Sequence, residues 1–190
     1  MTNDDEFEKA LRRLEDTGEF SEDIIPLAHS ALAKGNTRAM CFLGLYALRE
    51  DTQSAIAHAT RLFEKAAAAG DTDGSFFLGM MQWKTEGMRD LKSAVSNLRI
   101  AVNDENPDAQ LQLGLLLISE PEYKDRRSDA SILFKRAADN GDPAAQYFFA
   151  LDCLRGEGIP KNATMGLRYL RYSADAGCVQ AKDMLRKASE

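Results

Sequence analysis

The sequence predicts an all-α protein, a right-handed α-α superhelix (solenoid) built from helical hairpins that repeat every 35–36 residues. Three observations predict this fold class. First, the 190 residues are 44% hydrophobic and 28% charged, only 5 are proline, and the bias towards Ala, Leu, Glu, Lys and Arg favours helix. Second, small residues recur along the chain at a fixed interval. Third, each interval contains the same arrangement of small and large apolar residues.

Glycine recurs at intervals of 35, 35, 36 and 36 residues, with one substitution. The positions are Gly35, Gly70, Glu105, Gly141 and Gly177. Glycine just past a helix adopts the left-handed conformation that ends it, and proline is tolerated in the first turn of the next helix. Pro107 and Pro143 stand in such first turns. Each position is therefore interpreted as a corner between helices, and the corner at Glu105 is expected to be less well capped.

Each corner is followed by a small residue and, in the first four cases, by a large and a small residue side by side four positions later. The small residues are Ala39, Gly74, Ala109, Ala145 and Ala181, and the pairs are Leu43-Gly44, Leu78-Gly79, Leu113-Gly114 and Phe149-Ala150. A second set recurs later in each period: Ala59, Phe63 and Ala66; Ala94, Leu98 and Ala101; Ala130, Phe134 and Ala137; Gly166, Leu170 and Ala174. Spacings of three and four indicate amphipathic helices, and the small residues let neighbouring helices approach closely.

These patterns predict the following helices: 4–16, 22–34, 36–49, 55–69, 72–83, 90–103, 107–118, 127–139, 143–155, 163–176 and 178–188. A single helical hairpin cannot bury its apolar face, so the hairpins are expected to stack into one domain over residues 1–190. The expected parts are an acidic capping pair at 1–35, repeats at 36–70, 71–105, 106–141 and 142–177, and a capping helix at 178–190.

The fourth hairpin carries the most specific pattern. Ala145-Gln146-Tyr147-Phe148-Phe149-Ala150 precedes the loop Gly156-Glu157-Gly158-Ile159-Pro160-Lys161-Asn162, and two second helices end in Phe63-Glu64-Lys65-Ala66-Ala67-Ala68-Ala69-Gly70 and Phe134-Lys135-Arg136-Ala137-Ala138-Asp139-Asn140-Gly141. These segments resemble the Sel-one-like repeat (SLR) family, a relative of the tetratricopeptide repeats, over residues 36–188. The other three loops lack the double glycine. The resemblance implies a protein-binding scaffold without shared catalytic residues, and the disulfide that some members carry in each repeat has no matching cysteine pair here.

Charge and hydropathy exclude several classes of protein. Residues 1–23 hold nine acids and three bases and so account for the whole net charge of −6. Without a basic stripe, nucleic-acid binding is not expected. No apolar run is long enough to span a membrane, and the acidic start is unlike a secretion signal, so a cytoplasmic location is expected. The three cysteines, Cys41, Cys153 and Cys178, fit a reducing compartment.

The residue pattern indicates no catalytic or metal site. Neither His29 nor His58 stands at a metal-ligand spacing, and nothing links either to Cys41 as a nucleophile. The pair Gly156 and Gly158 is too short for a dinucleotide fingerprint. We therefore expect no enzyme activity, cofactor, metal or small-molecule substrate.

The candidate functional surface is an apolar ladder on the first helix of each hairpin, where a solenoid presents its concave groove. Its members are Cys41, Leu45, Leu48, Phe76, Met80, Trp83, Leu111, Leu115, Ile118, Tyr147, Leu151 and Leu154. An apolar surface rimmed by charge suits a partner segment, and Met80 and Trp83 are the expected anchors. Core packing produces the same spacing and remains an equal alternative. The mixed rim (Arg38, Arg49, Asp73, Lys84, Asp108, Arg155) does not define a partner's charge.

The sequence therefore predicts a non-catalytic scaffold or adaptor that binds a segment of another protein in its concave groove, with no nucleic-acid or membrane partner. The alternative is an inhibitor or immunity-type protein that masks a toxin or regulatory protein through the acidic N-terminal end.

Overall fold

The computed structural model describes residues 3–188, with side chains described from residue 5. Within this part of the chain there are eleven α-helices and no strand. The helices are α1 Asn3–Thr17, α2 Ile24–Ala33, α3 Thr37–Ala47, α4 Gln53–Ala68, α5 Thr72–Lys84, α6 Leu91–Asn103, α7 Pro107–Ser119, α8 Arg127–Asp139, α9 Pro143–Arg155, α10 Ala163–Asp175 and α11 Val179–Lys187. Each α-helix begins and ends within two residues of its predicted bounds.

The first four corners share one hydrogen-bonding arrangement. An asparagine or aspartate follows each of these four corner residues, and its side chain accepts a hydrogen bond from the amide three positions later, whereas Cys178 after Gly177 makes no side-chain cap. The capping pairs are Asn36 with Ala39, Asp71 with Gly74, Asn106 with Ala109, and Asp142 with Ala145. This cap satisfies a free amide of the next helix and fixes where it begins. The small residue seen in the sequence is thus the one whose amide is capped.

Glu105 occupies its corner in the left-handed region, with φ +60. Its corner keeps the same backbone closure as the others, since the Asn106 amide donates to Ala101 O at 3.2 Å as the Asp71 amide donates to Ala66 O at 3.0 Å. This corner therefore loses no backbone hydrogen bond. Its energetic cost comes from the left-handed conformation of Glu105, which a residue with a Cβ disfavours.

Two of the hairpins close through a glycine on the first helix and a phenylalanine on the second. An ideal Cβ on Gly44 would lie 2.5 Å from Phe63 Cε1, and one on Gly114 would lie 2.6 Å from Phe134 Cε1. Both rings are fully buried. The large and small residues of the repeat therefore meet within one hairpin, as close-packed surfaces require.

The chain divides into two compact units, Met1–Asn97 and Leu98–Glu190. In the first, α1 to α5 pack against their neighbours in sequence, around a core that includes Phe7, Ile24 and Leu43. In the second, α7 packs on α8, α8 on α9, α9 on α10 and α10 on α11. This sequential packing of helical hairpins confirms the predicted all-α solenoid class. The repeat and cap boundaries remain predictions.

The loops inside the hairpins differ from one another. Short 3-10 helices at Leu48–Glu50 and Pro121–Arg126, which the sequence pattern did not predict, fill the first and third loops. The fourth loop instead turns through Gly156 and Gly158, with φ +76 and +74. Among the described residues, no helix has both the length and the apolar character needed to cross a bilayer.

Candidate functional site

The twelve ladder residues lie on α3 with its 3-10 extension and on α5 in the first unit, and on α7 and α9 in the second. Their exposure is not uniform. Cys41, Leu111 and Leu151 are buried, Leu45 is exposed, and the other eight are half-buried: Leu48, Phe76, Met80, Trp83, Leu115, Ile118, Tyr147 and Leu154. The ladder is therefore neither wholly core nor wholly surface, and its role in binding stays a prediction.

The last ladder position of a hairpin faces that hairpin's own second helix in two cases. Leu48 packs against a core cluster that includes Phe63 on α4. Leu154 on α9 packs against α10, where its Cγ is 2.7 Å from the place that a Cβ on Gly166 would occupy. These two leucines hold their hairpins together, so they contribute to stability whether or not a partner binds.

The middle ladder position carries the accessible apolar surface in the first unit. Leu45 is 44% exposed on α3, and the equivalent Met80 on α5 is half-buried. α3 and α5 are in direct contact, so the two side chains belong to adjoining helices. In the second unit the equivalent Leu115 is half-buried and Leu151 is only 8% exposed, so neither is as accessible as Leu45. The first unit therefore offers the better docking surface.

Two aromatic ladder residues flank this surface. The Phe76 ring packs edge-on against Phe77, with centroids 5.2 Å apart. The Lys84 ammonium lies 4.6 Å from the centroid of the Trp83 ring, within cation–π range. Large apolar side chains with a charged neighbour are typical of binding anchors.

The two thiols on these helices, Cys41 and Cys153, have raised pKa values. Cys41 Sγ lies 3.7 Å from Asp71 Oδ1, and burial together with Asp71 and Asp73 raises the pKa of its thiol. Burial and the neighbouring Asp152 likewise raise the pKa of Cys153. Because the thiolate is the nucleophile, neither cysteine is activated.

His29 and His58 are exposed on α2 and α4, and no group of three His, Cys, Asp or Glu among the described residues could hold a metal ion.

Two arginines of the predicted rim, Arg38 on α3 and Arg49 on its 3-10 extension, contact the N-terminal part of the chain. Arg38 makes ion pairs with Glu8 and, at 2.8 Å, with Glu15 on α1. The Arg49 guanidinium lies over the Phe20 ring at 5.5 Å and the Tyr46 ring at 5.3 Å. Neither arginine is therefore fully available to a partner.

The acidic N-terminal end is partly neutralised by these contacts. Glu8 and Glu15 are bound to Arg38, and Glu19 lies 3.7 Å from Arg13. The exposed acids that remain on this end include Glu6, Asp16, Glu22 and Asp23. The side chain of Asp4 lies outside the described residues. An acidic surface persists, but it is smaller than the count of acids suggests.

A polar cluster in the fourth hairpin had no counterpart in the sequence predictions. Asp152 is fully buried on α9, where it accepts a hydrogen bond from Ser131 and pairs with Arg127, both on α8. Arg127 also lies 3.0 Å from Glu157 in the double-glycine loop. The available signal was a charged residue at a position where the other first helices carry Tyr46, Met81 and Leu116. The cluster joins the loop to α8, so its role is to stabilise the position of the loop.

These features define a helical-repeat protein with the SLR fold, built from helical hairpins. It is similar to a protective antigen of uropathogenic Escherichia coli with an SLR fold, at a TM-score of 0.78 and 23% identity over 85% of this chain and 35% of that one. A Sel1 repeat protein from Oxalobacter formigenes gives 0.75 and 22%, over 90% of this chain and 50% of that one. This chain thus spans a third to a half of the length of these two proteins.

An immunity protein of Pseudomonas aeruginosa also has a similar fold, with a TM-score of 0.56 and 20% identity over 94% of this chain and 67% of that one. No protein-family model and no curated protein sequence matches the chain. At these identities the comparisons define the fold.

Proposed function

We propose that the chain is a non-catalytic interaction scaffold, or adaptor, that works in the cytoplasm and binds a segment of a partner protein on the concave, first-helix side of its hairpins. The observation that supports it best is the surface on α3 and α5, where exposed Leu45 adjoins the helix of half-buried Met80 and Trp83. Apolar side chains left in contact with water beside charged groups are what a partner helix or extended segment buries.

Met80 and Trp83 are the proposed anchors, because binding energy concentrates in a few large side chains at the centre of an interface. Leu48 and Leu154 are assigned to hairpin packing instead. The remaining ladder residues line the site or support it. No nucleic acid, membrane or small substrate is part of the proposal.

Affinity capture from the source cells, followed by identification of the bound protein, tests this site. Leu45→Glu and Met80→Glu should abolish capture of a partner that the wild-type chain retains. Val179→Glu is the matched control, because Val179 is an exposed apolar residue on α11 and its replacement should leave capture unchanged. Circular dichroism and thermal melting accompany each variant. A Met80→Glu protein that unfolds would assign Met80 to the core, and retained capture in a folded Leu45→Glu protein would refute the site.

The second candidate is an inhibitor or immunity-type protein that masks its target through the acidic end. The exposed acids of α1 and of the following turn favour it, and the similar fold of the Pseudomonas immunity protein is compatible with it. Deleting α1 is an unsuitable test, because Phe7 and Leu11 belong to the core. Replacing Glu6, Asp16, Glu22 and Asp23 by their amides removes the charge alone. Loss of binding in this variant, with binding retained by Leu45→Glu, would support the second candidate over the first.

A further inference from the structure

The second helices of the second unit expose large apolar side chains. Ile132 on α8 is 57% exposed, and Ile100 on α6 and Leu167 and Tyr172 on α10 are also exposed. The first helices α7 and α9 have no exposed large apolar side chain among their described residues. Apart from Val179 on α11, the exposed large apolar side chains described in this unit therefore lie on α6, α8 and α10 and not on the helices that carry the predicted ladder.

Three neighbouring clefts are lined in part by three of these residues, Ile132, Leu167 and Tyr172. The central cleft, of about 320 Å³, lies between α8, the double-glycine loop and α10, and Ile132, Ile159, Pro160 and Met165 line it. Ile132 also lines a cleft between α6 and α8. Met165 also lines a third cleft along α10. The shared side chains make the clefts contiguous, and we call the surface from Arg99 through Ile132 and Met165 to Arg171 the outer groove.

The outer groove has an excess of positive charge. Arg99 lines the first cleft and Arg171 the last, and neither forms an ion pair with any residue in the described part of the chain. Arg168 lines the last cleft too, with its guanidinium 5.6 Å from the Tyr169 centroid. Of the acids that line the clefts, Asp129 is paired with Arg126 at 3.0 Å.

Asp175 is the other lining acid, so the three arginines of the outer groove outnumber its unpaired carboxylates. An arginine at each end of an apolar surface complements carboxylates at matching places on a ligand. The excess is too small for an anionic membrane, which attracts clusters of about 4–8 basic residues, or for the phosphates of nucleic acid.

We propose that the outer groove binds an acidic amphipathic segment of a second partner protein. Apolar side chains of that segment would fill the clefts beside Ile132 and Met165, and its carboxylates would pair with Arg99 and Arg171. This site goes beyond the first-helix site and uses different helices, so each can fail without the other. With both sites occupied, the chain would join two partners.

Short helical peptides with one apolar stripe and a polar face of Glu, Lys or Gln test the proposal by fluorescence anisotropy. The wild-type chain should bind the Glu peptide about tenfold more tightly than the Lys peptide. The double variant Arg99→Glu/Arg171→Glu should reverse this preference, and Ile132→Ser should weaken binding of the Glu peptide about tenfold. Arg61→Glu is the control, because Arg61 is an exposed arginine on α4 that also lacks an ion pair among the described residues; it should change nothing.

Methyl NMR of the wild-type protein locates the peptide without any substitution. Perturbed signals at Ile132 and Met165, with Leu45 and Met80 unchanged, support the proposal. Equal binding of the Glu and Lys peptides, an unaltered preference in the double variant, or perturbations at Leu45 and Met80 would overturn it. Self-association of the free protein that Ile132→Ser abolishes would also overturn it, since the occupant would then be a second copy. Loss of partner capture in Leu45→Glu bears only on the first-helix site.

Discussion

The buried carboxylate of Asp152 on α9 accepts a hydrogen bond from Ser131 Oγ on α8 at 2.6 Å. The same hydroxyl oxygen lies 3.1 Å from the carbonyl oxygen of Glu157, which belongs to the double-glycine loop. One polar cluster thus ties α8, α9 and the loop together. Since the outer groove includes residues of this loop, the cluster also holds one wall of that groove in place.

The pH dependence of stability should reveal Asp152. Burial raises its pKa from the ordinary 3.8, outweighing the hydrogen bond from Ser131 and the charge of Arg127, which lower it. A carboxyl whose pKa is higher in the folded state binds more protons there, so its contribution to the unfolding free energy falls as pH rises above about 3.8 through the raised pKa. Urea denaturation over this pH range should show this fall in the wild type, and Asp152→Asn should lack it.

Asp139 provides a control of opposite sign for that experiment. Burial opposes ionisation of Asp139, but the hydrogen bonds from Lys135 and Tyr169 outweigh it and lower its pKa below the ordinary 3.8. Its contribution is present above that value and is lost as pH falls through the lowered pKa. Asp139→Asn should therefore remove a loss of stability at acid pH. Identical pH profiles for Asp152→Asn and the wild type would contradict the assignment of Asp152.

Gly158→Ala should destabilise the protein by about 3 kcal/mol, because two costs add. Gly158 has φ +74, and a Cβ there would lie 2.5 Å from Ser131 Oγ and 2.6 Å from the Arg127 carbonyl oxygen. Gly141→Ala is the matched control, since its φ of +94 is also left-handed but nothing lies within 4 Å of the added Cβ. The control should lose about 1 kcal/mol in chemical denaturation. Equal losses would show that close packing at Gly158 is unimportant.

Glu105→Gly should stabilise the protein by about 1 kcal/mol, because glycine adopts the left-handed corner without the cost of a Cβ. The corner's hydrogen bonds are already in place, so no other interaction needs to change. Asn140→Gly is the control, because it introduces glycine one residue before a corner, at φ −79, where there is no left-handed strain for glycine to relieve. It should lower stability slightly. Thermal and urea unfolding measure both, and a less stable Glu105→Gly protein would disprove strain at this corner.

Gly44 and Phe63 should be energetically coupled. Gly44→Ala would place a Cβ 2.5 Å from the Phe63 ring and should cost about 2 kcal/mol. Phe63→Leu should cost about 1.5 kcal/mol through the space that it leaves. In the double variant the methyl group of alanine fills part of that space, so the total loss should be less than the sum. A double-mutant cycle measures the coupling, and additive losses would contradict the contact.

The local structure of this chain follows from its sequence. Glycine at four of the five corners, the asparagine or aspartate after the first four, and small residues at spacings of three and four act within one or two helical turns. Their effects therefore recur along the chain. For this reason the predicted helix bounds agree with the structure to within two residues. The 3-10 helices at Leu48–Glu50 and Pro121–Arg126 lie in loops without the double glycine, and the sequence pattern did not predict them.

The tertiary structure decided which repeated positions reach water. Leu45 and Leu151 occupy equivalent positions, yet the first is 44% exposed and the second 8%, because exposure depends on the side chains of the helices packed alongside. For the same reason Asp152 is buried on an otherwise apolar face, Arg38 is held by α1, and Ile132 projects from α8. The sequence by itself determined where the helices begin, end and pair, and packing between distant residues determined which surfaces remain for partners.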